Sequence, residues 1–479
     1  MIKTKLIATL GPASANQDCL RDMFDVGLDV CRLNFSHGDH DTHRQTLELV
    51  RSLASERQQP ICVIGDLCGP KIRLGTFAAG AVELERGKTV RFVRGTAPCT
   101  AELLTVSFPT FIDEVREGQR IYIDDGMVRL LVVERTADAL VCTCTYGGQV
   151  NSHKGVNLPD TRLTTPALTA KDRDDLEWAI EHGLDYVALS FVRQPADLYE
   201  LKQLVEPHTS GPRVIIKIEK TEALEHLDEL IAHTDAVLVA RGDLGVETDI
   251  WRVPLIQKDI VARCQRAGVP VIVATQMLQS MVHSPMPTRA EVSDVANAIL
   301  ERVDAVMLSA ETAVGQHPGM AVDMMNRIAQ ATEAFLADQP PYVLPLDTSA
   351  QQSSSAAIAH AAVQAARDIN ARLVAVWTAT GQTVKQVARH RLSMPVVGLT
   401  YSQRVYQQLN LLFGVEPVRV QPLDNPAAMA ASLDSHLLER ELAVPGDLVV
   451  VVTSTRPHTP GGTDTVIVHR VESGVLERG

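Results

Sequence analysis

Short β-branched or apolar runs recur along the chain at Lys5–Leu10, Val30–Phe35, Ile61–Asp66, Tyr186–Phe191, Arg213–Ile218, Ala236–Ala240, Pro270–Ala274 and Asp304–Leu308. Helical patterns follow most of them, as at Asp39–Ala54, Lys171–His182, Leu255–Ala267 and Arg289–Arg302. Asp39, Asp41 and Thr42 supply capping and acidic chemistry at the first of these helix starts. Eight strands alternating with helices predict a (β/α)8 barrel of the α/β class. The spacing is regular except between the third and fourth runs. There, 71–163 is punctuated by glycine and alternates in the manner of an all-β module, as in Lys88–Phe92, Ile121–Ile123 and Leu140–Cys144. Without this insert, about 250 residues remain up to Ala337, close to the usual barrel length.

Gln339-Pro340-Pro341 opens a linker, beyond which the alternation resumes. Helix Ala356–Asn370, strand Leu373–Thr378, helix Thr383–His390 and strand Val396–Leu399 precede strands Leu448–Thr453 and Val466–Arg470, a separate α/β domain. The domain limits are therefore 1–70 and 164–340 for the barrel, 71–163 for a β lid and 341–479 for the C-terminal domain.

A length of 479 residues suits several domains. A net charge of −13 and the lack of a long basic run argue against nucleic acid as a partner. No segment has the apolar length of a membrane span, and Met1–Lys5 runs straight into a strand, leaving no room for a signal peptide. Eight cysteines without Cys-x-x-Cys spacing read as reduced thiols, and the expected location is the cytoplasm.

Barrel chemistry is carried at the C-terminal ends of the strands. Those ends hold Arg32, Asn34 and Ser36, then Asp66 and Arg73, then Ser190, Lys217 with Glu219, Asp243, Thr275 and Ser309. Lys217 and Glu219 share a strand face because side chains alternate with period two. Glu219 and Asp243 offer hard oxygens to Mg2+ or Mn2+, unless they merely balance Lys217 and Arg241. Arg32, Arg73 and Lys217 make a cationic clamp for a phosphoryl group, and Gly242 with the Asp243 amide a backbone nest for a carboxylate. Together these describe a phosphorylated small acid as substrate. His37, Asp39, His40, Asp41 and His43 look like a metal cluster but straddle a helix start, where such residues serve as caps. No Gly-x4-Gly-Lys-Ser/Thr loop occurs, so a nucleotide must bind without one.

Thr4–Ser14, Arg32–Gly38, Gly69–Arg73, Lys154–Pro159, Val239–Glu247, Ala274–Met277, Met286–Glu291 and Asp294–Ala298 resemble, in order, the motifs of the pyruvate kinase family. The resemblance covers essentially the whole chain. It implies a barrel with an inserted mobile β lid, a C-terminal α/β regulatory domain and Mg2+-dependent phosphoryl transfer from phosphoenolpyruvate to ADP, giving pyruvate and ATP in glycolysis. It assigns Glu219 and Asp243 to the metal and Lys217 to the phosphoryl group in flight. Substrate carboxylate falls to Gly242, Asp243 and Thr275, and its phosphate to Arg32, Arg73 and Ser190. Nucleotide falls to Arg32, Asn34, Phe35, Ser36, His37, Arg73 and Lys154. A water network through Thr275 and Ser309 is the expected route for the proton to carbon. A homotetramer with a subunit contact near Arg289 is implied as well.

Many relatives carry Glu where this chain has Lys71, and they need K+ near Asn34, Ser36 and Asp66. Lys71, with Leu67 beside Asp66, brings a charge of its own, so K+ is expected not to be required. Cys68, Ala310 and Asp160 are smaller departures, Cys68 being a candidate for thiol sensitivity. In the C-terminal domain Thr378, Thr380, Gly381 and Thr383 resemble the family's effector loop, with Arg456 as a further anchor for a sugar phosphate or AMP. Two other readings fit parts of the pattern. A Mg2+-dependent lyase or aldolase would share the carboxylate pair without needing the lid or Lys154, and a sugar-phosphate sensor with an inactive barrel would not need Lys217.

Overall fold

The computed structural model describes residues 2–78, 80–208, 211–344, 354–422, 426–455 and 462–473. Eight parallel strands form a closed barrel: Lys5–Leu10, Val30–Asn34, Cys62–Asp66, Tyr186–Leu189, Arg213–Ile218, Ala236–Ala240, Val271–Ala274 and Ala305–Leu308. The first strand pairs with both the second and the eighth, which shuts the ring. Alternate residues of each strand point inward or outward. Ile7, Ile64, Tyr186, Ile215, Leu238 and Met307 fill the interior, while Leu6, Val63, Val187, Val214 and Val237 pack under the surrounding helices. Both faces are thus dry, which is why the strands read as unbroken apolar runs.

Several runs lose a residue or two in the fold, for identifiable reasons. Phe35 leaves the second strand to pack edge-on against Trp178. Phe191 turns into the left-handed region with φ 56°. Pro270 has no N–H for the ladder, and Asp304 spends its carboxylate on the Val271 amide at 3.0 Å.

Between the third and fourth strands lies a six-stranded sheet, ordered Val156–Asn157, Arg120–Ile123, Val128–Arg135, Ala139–Tyr146, Thr89–Val93 and Leu103–Leu104. A separate antiparallel pair joins Ala81–Leu84 to Gly148–Asn151. This lid has its own core around Phe92, Phe111 and Leu130, in which Cys142 and Cys144 are buried free thiols. Asp160 receives the backbone N–H of Arg120 at 2.9 Å and its guanidinium at 2.9 and 2.6 Å, tying the end of the lid to one of its strands.

The C-terminal sheet is ordered Val415–Arg419, Val396–Thr400, Val374–Trp377, Leu448–Thr453 and Thr465–Arg470, the last strand antiparallel to its neighbour. It sits under the barrel floor. Leu411 enters the barrel's interior cluster from below. Arg391 makes two bonds to Asp304, at 2.8 and 2.6 Å, both side chains being buried. Lys385 donates to the Asp235 carbonyl at 3.3 Å, and Gln408 to that of Asp185 at 3.1 Å. Among the described residues, no helix is long and apolar enough to cross a membrane.

Candidate active site

The ends of the second, third and fourth strands converge because their registers align: Asp66 is level with Asn34 on one side and Ala188 on the other. Lys217 occupies the middle of the resulting cluster. Its ammonium lies 2.8 Å from Ser190 Oγ, 2.8 Å from Glu219 Oε1 and 3.3 Å from Asp66 Oδ1. Burial pulls the Lys217 ammonium toward neutrality, but Asp66 and Glu219 more than offset it and hold its pKa above that of a free lysine. Asp66 is shared. Its second oxygen accepts from Arg32 Nε at 2.7 Å and from Arg32 Nη2, and Arg32 Nη1 reaches Thr9 Oγ1 at 2.8 Å. Lys217 and Arg32 together outweigh burial and keep Asp66 below the usual carboxylate range.

Glu219 is almost wholly buried, with Oε2 accepting the Phe191 amide at 2.8 Å. Burial and the nearby charge of Asp243 push its carboxyl up, against the pull of Lys217. Asp243 opens onto the same space from the short helix Arg241–Glu247. A third carboxylate, Asp125, comes from the lid, and burial and then Asp243 raise it. The charge of Asp243 raises both Glu219 and Asp125; such crowding of carboxylates favours a cation between them, and the oxygen donors of Glu219 and Asp243 suit a hard divalent ion.

Thr275 has φ 69° and Gln276 φ 55°, two successive left-handed residues without a glycine. For a β-branched side chain this is strained. The loop is held by Arg241, which donates to the Thr275 carbonyl at 2.8 Å and the Ala274 carbonyl at 3.3 Å and is anchored by Asp294 at 2.7 Å. The Thr275 hydroxyl thereby donates to the Ala274 carbonyl at 2.6 Å and accepts the Gly242 amide at 2.7 Å. Arg241 therefore pairs with Asp294 rather than balancing Asp243.

Around this cluster lie the other sequence-derived positions. Asn34 Oδ1 accepts the Ser36 amide at 3.1 Å, and the Phe35 side chain is core, leaving only its backbone to the mouth. Leu67 is buried, and its carbonyl accepts from Ser190 Oγ at 2.6 Å. Arg73 Nη1 reaches the His153 carbonyl at 3.2 Å. Lys154 pairs with Asp124 at 2.9 Å. Lys71 is exposed and has no ion pair among the described residues, and its stem lies beside Gly155. Burial, then Arg73, Lys71 and Arg32, pull His37 down, so these cations share one electrostatic neighbourhood. Ser309 donates its amide to Glu311 at 2.7 Å. Cys68 is half-buried and free.

The sequence reading named Arg241 only as a counter-ion and gave no role to Thr9 or Asp125. The lid turn Asp124-Asp125-Gly126 has φ of 54°, 53° and 82° and reaches Val246 of the Arg241–Glu247 helix. An Asp-Asp-Gly after a strand signals such a turn, although nothing local says what it will touch. Of the histidines near the second strand, His40 and His43 serve structure. Asp39 caps its helix through Thr42 at 2.9 Å, His40 meets Asp175 at 2.8 Å, and His43 meets the His37 carbonyl at 2.9 Å. In the C-terminal domain, the Gly381 amide donates to Thr378 Oγ1 at 2.7 Å with φ 82°, the Thr380 carbonyl accepts from Arg213, and Thr383 meets Thr463 at 2.8 Å. Arg456 lies outside the described residues.

The chain matches the family models "Pyruvate kinase, barrel domain" over residues 1–322 and "Pyruvate kinase, alpha/beta domain" over residues 356–469. It is 42% identical to pyruvate kinase 2 of Synechocystis over 487 aligned positions, covering 100% of this chain and 80% of that one. Against the pyruvate kinase of Mycobacterium tuberculosis it is 40% identical, covering 98% of each chain. A crystal structure of a pyruvate kinase from Cryptosporidium parvum superposes with a TM-score of 0.89 at 32% identity, covering 98% of this chain and 96% of that one.

Proposed function

The chain belongs to the pyruvate kinase family and is a phosphotransferase of that kind, and from this premise we propose how its own residues carry the reaction. The supporting observation is the buried Lys217 ammonium held among Ser190, Asp66 and Glu219. Its raised pKa keeps it charged, so it can meet the phosphoryl group as that group leaves the enol oxygen of phosphoenolpyruvate for the β-phosphate of ADP. Arg32, fixed by Asp66 and Thr9, and Arg73 face the same phosphate. Asn34, Ser36, His37, Lys154 and the backbone of Phe35 line the nucleotide side.

Glu219 and Asp243 would hold Mg2+, or Mn2+, whose positive charge is the chemistry it supplies there. In the present arrangement Thr275 Oγ1 sits on the Gly242 amide. A substrate carboxylate oxygen would take that place and leave the Thr275 hydroxyl to bond the same group. Lid closure over the mouth excludes water, which suppresses hydrolysis. Water ordered by Thr275 and Ser309 would then bring the proton to the enolate carbon.

Lys71 replaces the monovalent cation in this reading. Its charge reaches both His37 and Asp125, so it already adds a positive charge to the region of Asn34, Ser36 and Asp66. The loop Thr378–Thr383 takes a phosphorylated effector, a sugar phosphate or AMP. We assign the lid to 71–163, the barrel to 1–70 and 164–340 and the C-terminal domain to 341–479. Homotetramer assembly is supported by exposed Ile250, Trp251, Leu255 and Met286, an apolar surface that water alone does not favour. A cytoplasmic location is supported by the free thiols.

The test is pyruvate formation from phosphoenolpyruvate and ADP with Mg2+ in K+-free buffer, followed by separate additions of K+ and of sugar phosphates. Turnover without K+ is expected. Activity only after K+ addition would keep the reaction and discard the lysine surrogate.

A further inference from the structure

A cavity of about 860 Å³ lies between the barrel floor and the C-terminal domain, well away from the strand ends. One wall is the C-terminal end of the helix His40–Glu56 and the turn after it, and the other comes from Tyr406, Arg419 and the end of the helix Pro426–Glu439. Four guanidinium groups line it, those of Arg51, Arg57, Arg419 and Arg440, against one carboxylate, Glu439. In a chain of net charge −13 that local balance is the reverse of the average.

The carboxylates that answer these arginines are not in the lining. Arg51 is held by Asp185 at 2.9 Å, Arg57 by Asp25, and Arg440 lies 4.0 Å from Glu416. Arg419 is exposed and has no ion pair among the described residues. The remaining lining is rich in side-chain amides, and the buried side-chain oxygen of Gln59 has no hydrogen-bond partner. Gln58 is fixed in the left-handed region at φ 52°, with its carbonyl accepting from Tyr406 across the seam at 3.1 Å. The turn that forms the barrel-side wall is therefore held by the other domain.

We propose that this cavity is a second ligand site, separate from the loop Thr378–Thr383, for a phosphate monoester of a polyhydroxylated small molecule of sugar size. Planar guanidinium forks bind phosphate oxygens in pairs, and this lining contains arginine and no lysine. The volume lies in the range of small-molecule sites, and the amides suit hydroxyl groups. A molecule bound there touches both domains at once, Arg51 and Arg57 from one and Arg419 and Arg440 from the other.

Calorimetric titration of the full chain tests this, using glucose 6-phosphate, glucose and inorganic phosphate as probes. Titrations are made in a Thr380→Ala/Thr383→Ala background so that only loop-independent binding is seen. Glucose 6-phosphate should bind with one site per chain, inorganic phosphate more weakly, and glucose not at all. Adding Arg419→Gln and Arg440→Gln should weaken binding at least tenfold. Ser55→Trp, which narrows the cavity and leaves every charge in place, should do the same. Unliganded melting temperatures identify any variant that has lost its fold. The proposal is overturned if no binding survives in the loop background, if glucose binds as well as its phosphate, or if folded arginine variants bind like the parent. Pyruvate formation, followed on the same preparations, reports on the barrel chemistry independently.

Discussion

Replacing Arg241 by Gln should impair catalysis through Thr275, with which Arg241 shares no substrate contact. Thr275 and Gln276 are both left-handed, and such residues cost about 1–3 kcal/mol each. The two carbonyl bonds from Arg241 are charge-assisted, worth about 1.5–3 kcal/mol apiece, so they are of the size needed to hold the loop strained. Without them the backbone can relax, and the Thr275 hydroxyl is no longer aimed at the place beside the Gly242 amide that the substrate carboxylate would take. Losing one or two correctly aimed hydrogen bonds in the transition state amounts to about 1.5–3 kcal/mol, or roughly 10- to 150-fold in kcat/KM. Asp294 is partly exposed, so leaving it unpaired costs little. The assay is steady-state pyruvate formation across a double-mutant cycle with Thr275→Ala. If Arg241 works through Thr275, the double variant is no worse than Thr275→Ala alone. A kcat/KM within about threefold of the parent for Arg241→Gln, or full additivity in the cycle, would refute the strain account.

Other outcomes follow from the same geometry. Glu219→Gln should raise the Mg2+ concentration needed for half-maximal rate by at least about tenfold, since one of two anionic donors is lost while Asp66 still pairs with Lys217; an unchanged Mg2+ titration would remove Glu219 from the metal. Arg391→Met strands the buried Asp304 carboxylate and should cost about 3–5 kcal/mol in denaturant unfolding, and a loss below about 1 kcal/mol would show that the seam relaxes freely. Lys385 is pulled down to about 8 by burial and by Arg213, from about 10.4 in an unfolded chain. Below pH 8 it is charged in both states and the folded chain carries the full penalty; between about 8 and 10.4 the unfolded state binds more protons, so stability gains about 3 kcal/mol as pH rises. Lys385→Met should therefore melt higher than the parent at pH 7, with the difference shrinking by pH 10; a constant difference across that range would contradict it.

The barrel was legible because strands dry on both faces leave continuous apolar runs, and the ends of those runs named Lys217, Glu219, Asp243 and Thr275. Strand Val415–Arg419 escaped the reading. It carries Pro417 and is tolerated because it lies at a sheet edge, where a missing N–H is cheap. Arg241 looked like a counter-ion because backbone φ is not written in side-chain chemistry: nothing about Thr275 or Gln276 announces a left-handed conformation. Asp125 and Arg391 escaped for another reason. Their partners lie far along the chain, at Asp243 and Asp304, and only the fold brings them together.

Leu411 gives the molecule a timetable. The barrel's interior is completed by a side chain that follows the eighth strand by roughly a hundred residues, so a ribosome adding about 5–20 residues per second delivers it some 5–20 s late. During that interval all eight strands have been synthesised while the base of the ring, around Ile7, Tyr186 and Ile215, still lacks its neighbour. Birth of the enzyme therefore includes a waiting period, and the C-terminal domain ends it.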